Sequence, residues 1–209
     1  MKETPKLWTA TYEAETAEEL AEAYTNWAGD YDRDTLNKMG YVGPHVAASM
    51  LDYHLESKDC RVLDAGCGTG LVGEMLHRMG YENVDAMDFS KDMLDEAEKK
   101  GVYRRLFRED MNQDLDIPDD SYDATICVGT FTYAHVGPHA FDELVRVTRP
   151  GGHICFTIRD GAYQEYGYRN KMIEMEACAK WELQELKEED YLIKENVSAK
   201  FCTYKVLDN

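Results

Sequence analysis

The chain has 209 residues, 44% of them hydrophobic, which suits one α/β domain with a full core and no second domain. Lys and Arg total 23 against 41 for Asp and Glu, a formal net charge of -18. Such a field repels phosphodiester polymers and anionic lipid, so neither nucleic acid nor a membrane is expected as partner. Solubility accounts for the acidity, and a neutral or cationic small molecule is compatible with it.

The six cysteines (Cys60, Cys67, Cys127, Cys155, Cys178 and Cys202) form no CxxC pair, and three sit in apolar strand-like runs. They read as reduced, buried small hydrophobes. The N-terminal stretch lacks an apolar signal core and no run reaches the length of a membrane span, so cytoplasmic residence is expected.

In chain order, Thr16 and Glu19 make a capping box, and Leu20, Tyr24, Trp27 and Tyr31 follow at helical spacing on one aromatic face. Gly43-Pro44 opens a second helix with Val46, Met50 and Leu55 inward, closed by the polar stretch from Glu56 to Asp59. From Cys60 the pattern alternates short apolar runs with helical ones, the mark of a parallel sheet. Strands are predicted over 61–64, 84–88, 103–108, 122–128 and 153–159. Helices are predicted after the first strand through Leu71, Met75, Leu76 and Met79 to Gly80, over 91–100, and through Phe141, Leu144 and Val147. Pro150-Gly151-Gly152 reads as a forced turn into the fifth strand. A helix over 163–180 and two strand-like segments, 181–186 and 199–207, complete the chain as an edge hairpin. Residues 1–58 are expected as a helical lid segment on a domain formed by 59–209, one structural unit overall.

The strongest local signal is the turn Asp64-Ala65-Gly66-Cys67-Gly68-Thr69-Gly70 between the first strand and its helix. Glycines there let the backbone approach a ligand, and the helix N-terminus offers N–H groups and positive dipole to a carboxylate or phosphate. The dinucleotide pattern Gly-x-Gly-x-x-Gly fails, because Leu71 falls where its third glycine belongs counting from Gly66, and counting from Gly68 puts Gly73 inside the helix. Asp88 ends strand two, where an acidic residue accepts from ribose hydroxyls; Ser90 is at hand to cap the next helix. Asp110 follows strand three and suits the exocyclic amine of an adenine, with Phe89, Met93 and Met111 as an apolar slot for the base. These residues recur at successive strand ends and point to an adenosyl ligand.

Asp64 to Gly70, Asp88-Phe89-Ser90, Asp110-Met111, Tyr122-Asp123-Ala124 and Arg149-Pro150-Gly151-Gly152 resemble, in order, the class I S-adenosylmethionine-dependent methyltransferases. A closer resemblance, to the methyltransferase-like family of the Williams-Beuren syndrome region, extends to Tyr24-x-x-Trp27-Ala28-x-x-Tyr31-Asp32 and Gly68-Thr69-Gly70-Leu71-Val72. The resemblance implies a Rossmann-like three-layer α/β sandwich whose seven-stranded mixed sheet has the order 3-2-1-4-5-7-6, strand 7 antiparallel. It implies S-adenosylmethionine as cofactor, S-adenosylhomocysteine as product, and a bound molecule at the strand C-termini. Gly66, Cys67 and Gly68 would line the methionine part, in a turn completed by Gly70, with Asp64 near the amino group. Asp88 would hold the ribose, Asp110 and Met111 would read the adenine, and Val128-Gly129 would border the transfer site. Val128-Gly129-Thr130-Phe131 stands where enzymes methylating bases or glutamine carry Asn-Pro-Pro-Tyr, which leaves a small-molecule methyl acceptor as the expected substrate.

In-line alignment alone can supply about 7–11 kcal/mol, so a base is needed only for an acceptor that must lose a proton. His135, seven residues past strand four, is the candidate. His135 and His139 are separated by Gly137-Pro138, which disrupts any shared helix, so no metal site is expected. Tyr24, Trp27 and Tyr31 are expected over the cofactor as a lid, with Tyr163, Tyr166 and Tyr168 as possible additions to an aromatic pocket for a cation. A monomer or weak homodimer is expected. The competing readings are an adenosyl-ligand-binding partner or regulatory protein without turnover, and a nicotinamide oxidoreductase.

Overall fold

The computed structural model describes residues 9–14, 16–132 and 136–208. After a short helix α1 (Thr9–Glu13), α2 (Ala17–Trp27) begins at the expected capping box: Thr16 Oγ1 accepts from Glu19 N, and Glu19 Oε2 accepts from Thr16 N. Sequence periodicity carried the aromatic face through Tyr31, but the α-helix stops at Trp27. A 3-10 turn (Ala28–Asp30) and a π-helical turn (Arg33–Met39) follow, closed by left-handed Gly40. Thr35 Oγ1 donates to the Tyr31 carbonyl at 2.8 Å, within the run where the helix widens. Then come α3 (Gly43–His54), β1 (Val62–Ala65), α4 (Leu71–Arg78), β2 (Val84–Asp88), α5 (Lys91–Lys100), β3 (Arg105–Arg108) and β4 (Tyr122–Phe131). The chain continues through α6 (Ala140–Val147), β5 (Thr148–Arg159), α7 (Ala162–Glu165), α8 (Tyr168–Ala177), β6 (Trp181–Leu192) and β7 (Val197–Val206).

The sheet order is β3-β2-β1-β4-β5-β7-β6, with β7 antiparallel to both neighbours, as the resemblance implied. Alternate residues of the central strands feed two cores. Val62, Ala124, Ile126 and Val128 pack against α3 and α4. Leu63, Ala65 and Cys127 turn to the other face, where Phe141 and Leu144 of α6 and Met172 and Met175 of α8 cover them. Each such large side chain, fully buried, contributes about 1.5–3 kcal/mol of transfer free energy.

Four segments depart from the sequence expectation. The expected helix over 163–180 breaks at left-handed Gly167 into α7 and α8. Pro150-Gly151-Gly152 lies inside β5, which pairs with β4 from Thr148. β6 is twice as long as expected: its glutamates are poor strand formers, and pairing with β7 along its whole length overrides that preference. Cys178 is exposed, unlike the other expected core cysteines; Cys67, Cys127, Cys155 and Cys202 are buried, and Cys60 is half-buried. Among the described residues no helix is long and apolar enough to cross a membrane.

Candidate active site

The strand order reverses between β1 and β4, and the crevice at their C-terminal ends is where an open α/β sheet takes ligands. Gly66 N and Cys67 N donate to the Met87 carbonyl at 2.8 and 3.0 Å, anchoring the turn after β1 to β2. Gly66 has φ +72° and Gly68 φ +54°, left-handed conformations that favour glycine. A Cβ on Gly66 would stand 2.3 Å from Thr130 Oγ1, whereas one on Gly68 would meet nothing within 4 Å. Gly68 therefore presents bare backbone to open space.

Beneath the turn Asp64 is fully buried, and its Oδ2 accepts from the Tyr103 hydroxyl at 2.6 Å. That hydroxyl accepts in turn from Gly73 N at the start of α4. Burial pushes the Asp64 carboxyl up to about 7; the Tyr103 hydrogen bond opposes that rise and the charge of Asp88 adds to it.

At the tip of β2 the Asp88 carboxylate spans two loops: Oδ2 accepts from Gly68 N and Oδ1 from Ser90 N, both at 2.8 Å. Ser90 Oγ separately accepts from Met93 N and caps α5, so capping and the loop-bridging role of Asp88 are divided between the two residues. Burial raises the Asp88 pKa against the pull of those backbone N–H groups.

Asp88 forms one wall of a cleft of about 1090 Å³, open to solvent. Its floor is Gly66, Cys67, Gly68 and Thr69. Phe89, Met93 and Met111 make an apolar slot beside Asp110 and Asn112, with the Arg108 guanidinium 5.9 Å from the Phe89 ring on the far side. Val128, Gly129 and Thr130 form the opposite end. Leu20, Tyr24 and Tyr31 close it from the N-terminal segment. That segment is tied down by Thr25 Oγ1 on Asp92 (2.6 Å) and by Asp32, which receives Thr69 Oγ1 and Lys100 Nζ.

A smaller chamber, about 470 Å³ with the solvent space at its mouth, shares Tyr24, Tyr31, Tyr41 and Gly129 with the cleft. Gly129 sits in a register shift of β4 with φ +85°, its N–H donating to Thr157 Oγ1. A Cβ there would lie 2.9 Å from both the Tyr41 and the Tyr191 hydroxyls, which are themselves 3.0 Å apart. Thr11, Trp27, Thr35, Met39, Thr132, Arg159, Tyr191 and Leu192 line the rest of it.

Most residues singled out in the sequence meet in this cleft: Tyr24, Tyr31, Gly66, Cys67, Gly68, Asp88, Phe89, Met93, Asp110, Met111 and Val128. Trp27 lines the smaller chamber instead, its ring 4.6 Å from that of Tyr31. Asp64 and Gly70 stand behind the wall, next to Tyr103. His135 lies outside the described residues. Tyr163, Tyr166 and Tyr168 pack with the core on the opposite face of the sheet and do not join the aromatic face of α2. Sequence reading missed Tyr41, Thr130, Tyr191 and Arg159. Tyr41 has a local signal, an aromatic flanked by Gly40 and Gly43; Tyr191 is 150 residues away from it, and nothing local reveals the pair.

Residues 63–156 match the family model described as "Methyltransferase domain". Methyltransferase-like protein 27 of Homo sapiens is 36% identical over 139 residues, 65% of this chain and 56% of that protein. The malonyl-[acyl-carrier protein] O-methyltransferase of Serratia marcescens is 32% identical over 149 residues, 71% of this chain and 56% of its own length. The chain thus spans a little over half of these curated relatives. Among solved structures, magnesium protoporphyrin IX methyltransferase from Synechocystis PCC 6803, determined with bound S-adenosylmethionine, superposes with TM-score 0.70 over 92% of this chain and 97% of that one. At 16% identity that likeness concerns the fold.

Proposed function

We propose that this chain, a member of the class I methyltransferase family through its domain at residues 63–156, binds S-adenosylmethionine and transfers the methyl group to a small molecule. The observation that carries the reading is Asp88, held at the cleft wall by Gly68 N and Ser90 N, between bare backbone at Gly68 and the apolar slot of Phe89, Met93 and Met111. Each carboxylate oxygen accepts one backbone bond and keeps a lone pair for a ribose hydroxyl. Asp110 and the Met111 backbone read the adenine, and the Gly66–Gly68 backbone passes the methionine portion. The residues present fit that group.

When bound, the sulfonium supplies an activated methyl group with a neutral thioether as leaving group. The protein's share is alignment and exclusion of water. Val128 and Gly129 set the end of the cleft where the acceptor approaches, and Leu20, Tyr24 and Tyr31 cover it as a lid. An acceptor that must lose a proton would take its base from His135; an already ionised acceptor needs none. The net charge of -18 supports a free small molecule over nucleic acid or a membrane surface as partner, with the protein a monomer or weak homodimer.

The test is incubation with methyl-labelled S-adenosylmethionine and a broad set of small metabolites. Label in a small product, with stoichiometric S-adenosylhomocysteine, is the expected outcome. Binding of the cofactor with no transfer to any metabolite would favour a binding protein without turnover.

A further inference from the structure

Helix α5 holds the N-terminal segment against the cleft from both of the helix's ends. In the first turn of α5, Asp92 Oδ2 accepts from Thr25 Oγ1 of α2 at 2.6 Å. At the last residue of α5, Lys100 Nζ donates to Asp32 Oδ2 and, at 2.7 Å, to Glu74 Oε2 in the first turn of α4. The first tie is exposed, whereas the Lys100 side chain is only 14% exposed. Its stem crosses the turn after β1: a Cβ on Gly70 would stand 3.3 Å from Lys100 Cδ. A cation also suits that place, at the C-terminal end of a helix.

Asp32 is where this clasp meets the cleft. It precedes the π-helical turn without capping it; Oδ1 accepts instead from the hydroxyl of Thr69, which lines the cleft floor. One carboxylate therefore joins the N-terminal segment, the floor and α5. Asp32 and Glu74 share a single ammonium, so removing that charge leaves two half-buried carboxylates facing each other. Arg78, exposed and 3.8 Å from the other oxygen of Glu74, offsets little of that repulsion.

We propose that Lys100 is a positioning residue for the cofactor cleft: by fixing Asp32 it keeps the N-terminal segment, with Tyr24 and Tyr31, closed over the bound cofactor and so sets how long the cofactor stays. This rests on the cofactor reading above and adds the group that governs release. Among the described residues Lys100 is not part of the cleft wall, so it acts through Asp32 and Thr69 and not by touching the cofactor. Closure of this kind falls mainly on dissociation, because a bound molecule must wait for the segment to lift.

A chase of labelled S-adenosylhomocysteine from the whole chain by excess unlabelled compound measures release, with calorimetry for the dissociation constant. Lys100→Met, which keeps the stem and removes the charge, should release the label about tenfold faster without slowing association. Asp32→Asn, which leaves the Lys100–Glu74 pair in place, should do the same. The double variant should be no faster than either alone, since both break one tie. Lys100→Arg should recover part of the slow release, and so should Glu74→Gln added to Lys100→Met, which relieves the repulsion. Hydrogen exchange on the unliganded protein reads the clasp without any cofactor: Lys100→Met should speed exchange over residues 28–39 and leave β1 and β2 unchanged.

Release within about twofold of wild type in both Lys100→Met and Asp32→Asn, additive effects in the double variant, or exchange that rises in the sheet as much as over 28–39 overturns the proposal. A wild type that binds no S-adenosylhomocysteine would strike the cofactor reading instead, and exchange over 28–39 in Lys100→Met still shows whether the clasp holds the segment.

Discussion

The phenolic oxygen of Tyr103 lies 2.6 Å from Asp64 Oδ2 and 3.1 Å from Gly73 N, so one hydroxyl from the segment before β3 ties the end of β1 to the start of α4. The tie is close: a Cβ on Gly73 would stand 2.2 Å from the Tyr103 ring. Tyr103→Phe leaves a buried carboxyl and a helix-start N–H without that partner. The expected loss is about 1–3 kcal/mol of stability, read as a lower urea midpoint with an unchanged slope.

Asp64 also gives stability a pH dependence. Its folded pKa of about 7 lies above the ordinary 3.8, because burial disfavours the charged form. The folded state therefore binds more protons between those values. The group's contribution is fully present below about pH 4 and is lost as pH rises through about 7, on the order of 4 kcal/mol in all. Asp88, also raised by burial, acts in the same direction. Denaturant titrations from pH 4 to 8 should show Asp64→Asn with a flatter profile than wild type, gaining on it as pH rises.

The two turn glycines should separate folding from binding. Gly66→Ala places a methyl against Thr130 Oγ1 at φ +72° and is expected to cost about 2–4 kcal/mol of stability. Gly68→Ala meets no neighbour, so only the left-handed backbone, about 1–2 kcal/mol, opposes it. Its methyl would project into the open space proposed for the cofactor, and S-adenosylhomocysteine affinity should fall more than about tenfold. Thermal melts and calorimetry on the same samples make the comparison.

Asp88→Ala should weaken S-adenosylhomocysteine binding by about 1–3 kcal/mol, the range for losing charge-assisted hydrogen bonds. Isothermal titration reads it directly, and an unaltered dissociation constant would remove Asp88 from the ribose.

Periodicity and turn chemistry carried the central sheet, because β1, β2 and β4 are apolar runs whose next elements begin at Gly70, Ser90 and a glycine-proline break. The floor of the cleft was equally legible: Gly66 and Gly68 take left-handed backbone in the turn that the sequence marks, and Asp88 stands at the end of β2 where the sequence put it. The smaller chamber beside it was not. Tyr41 and Tyr191 meet because the π-helical turn ends at Gly40 and the Tyr41–Leu192 bridge brings the end of β6 beside it. Long-range pairing of this kind leaves no periodic trace. The acidic run in β6 failed for a related reason, since strand pairing outweighed the poor propensity of its glutamates.

Titration calorimetry of the wild-type chain with S-adenosylhomocysteine, and with NAD as control, is the most direct measurement. One-to-one binding of S-adenosylhomocysteine and no heat with NAD is the expected result. A folded protein that binds NAD, or that shows no affinity for S-adenosylhomocysteine or S-adenosylmethionine, would contradict the assignment of the Asp88 cleft.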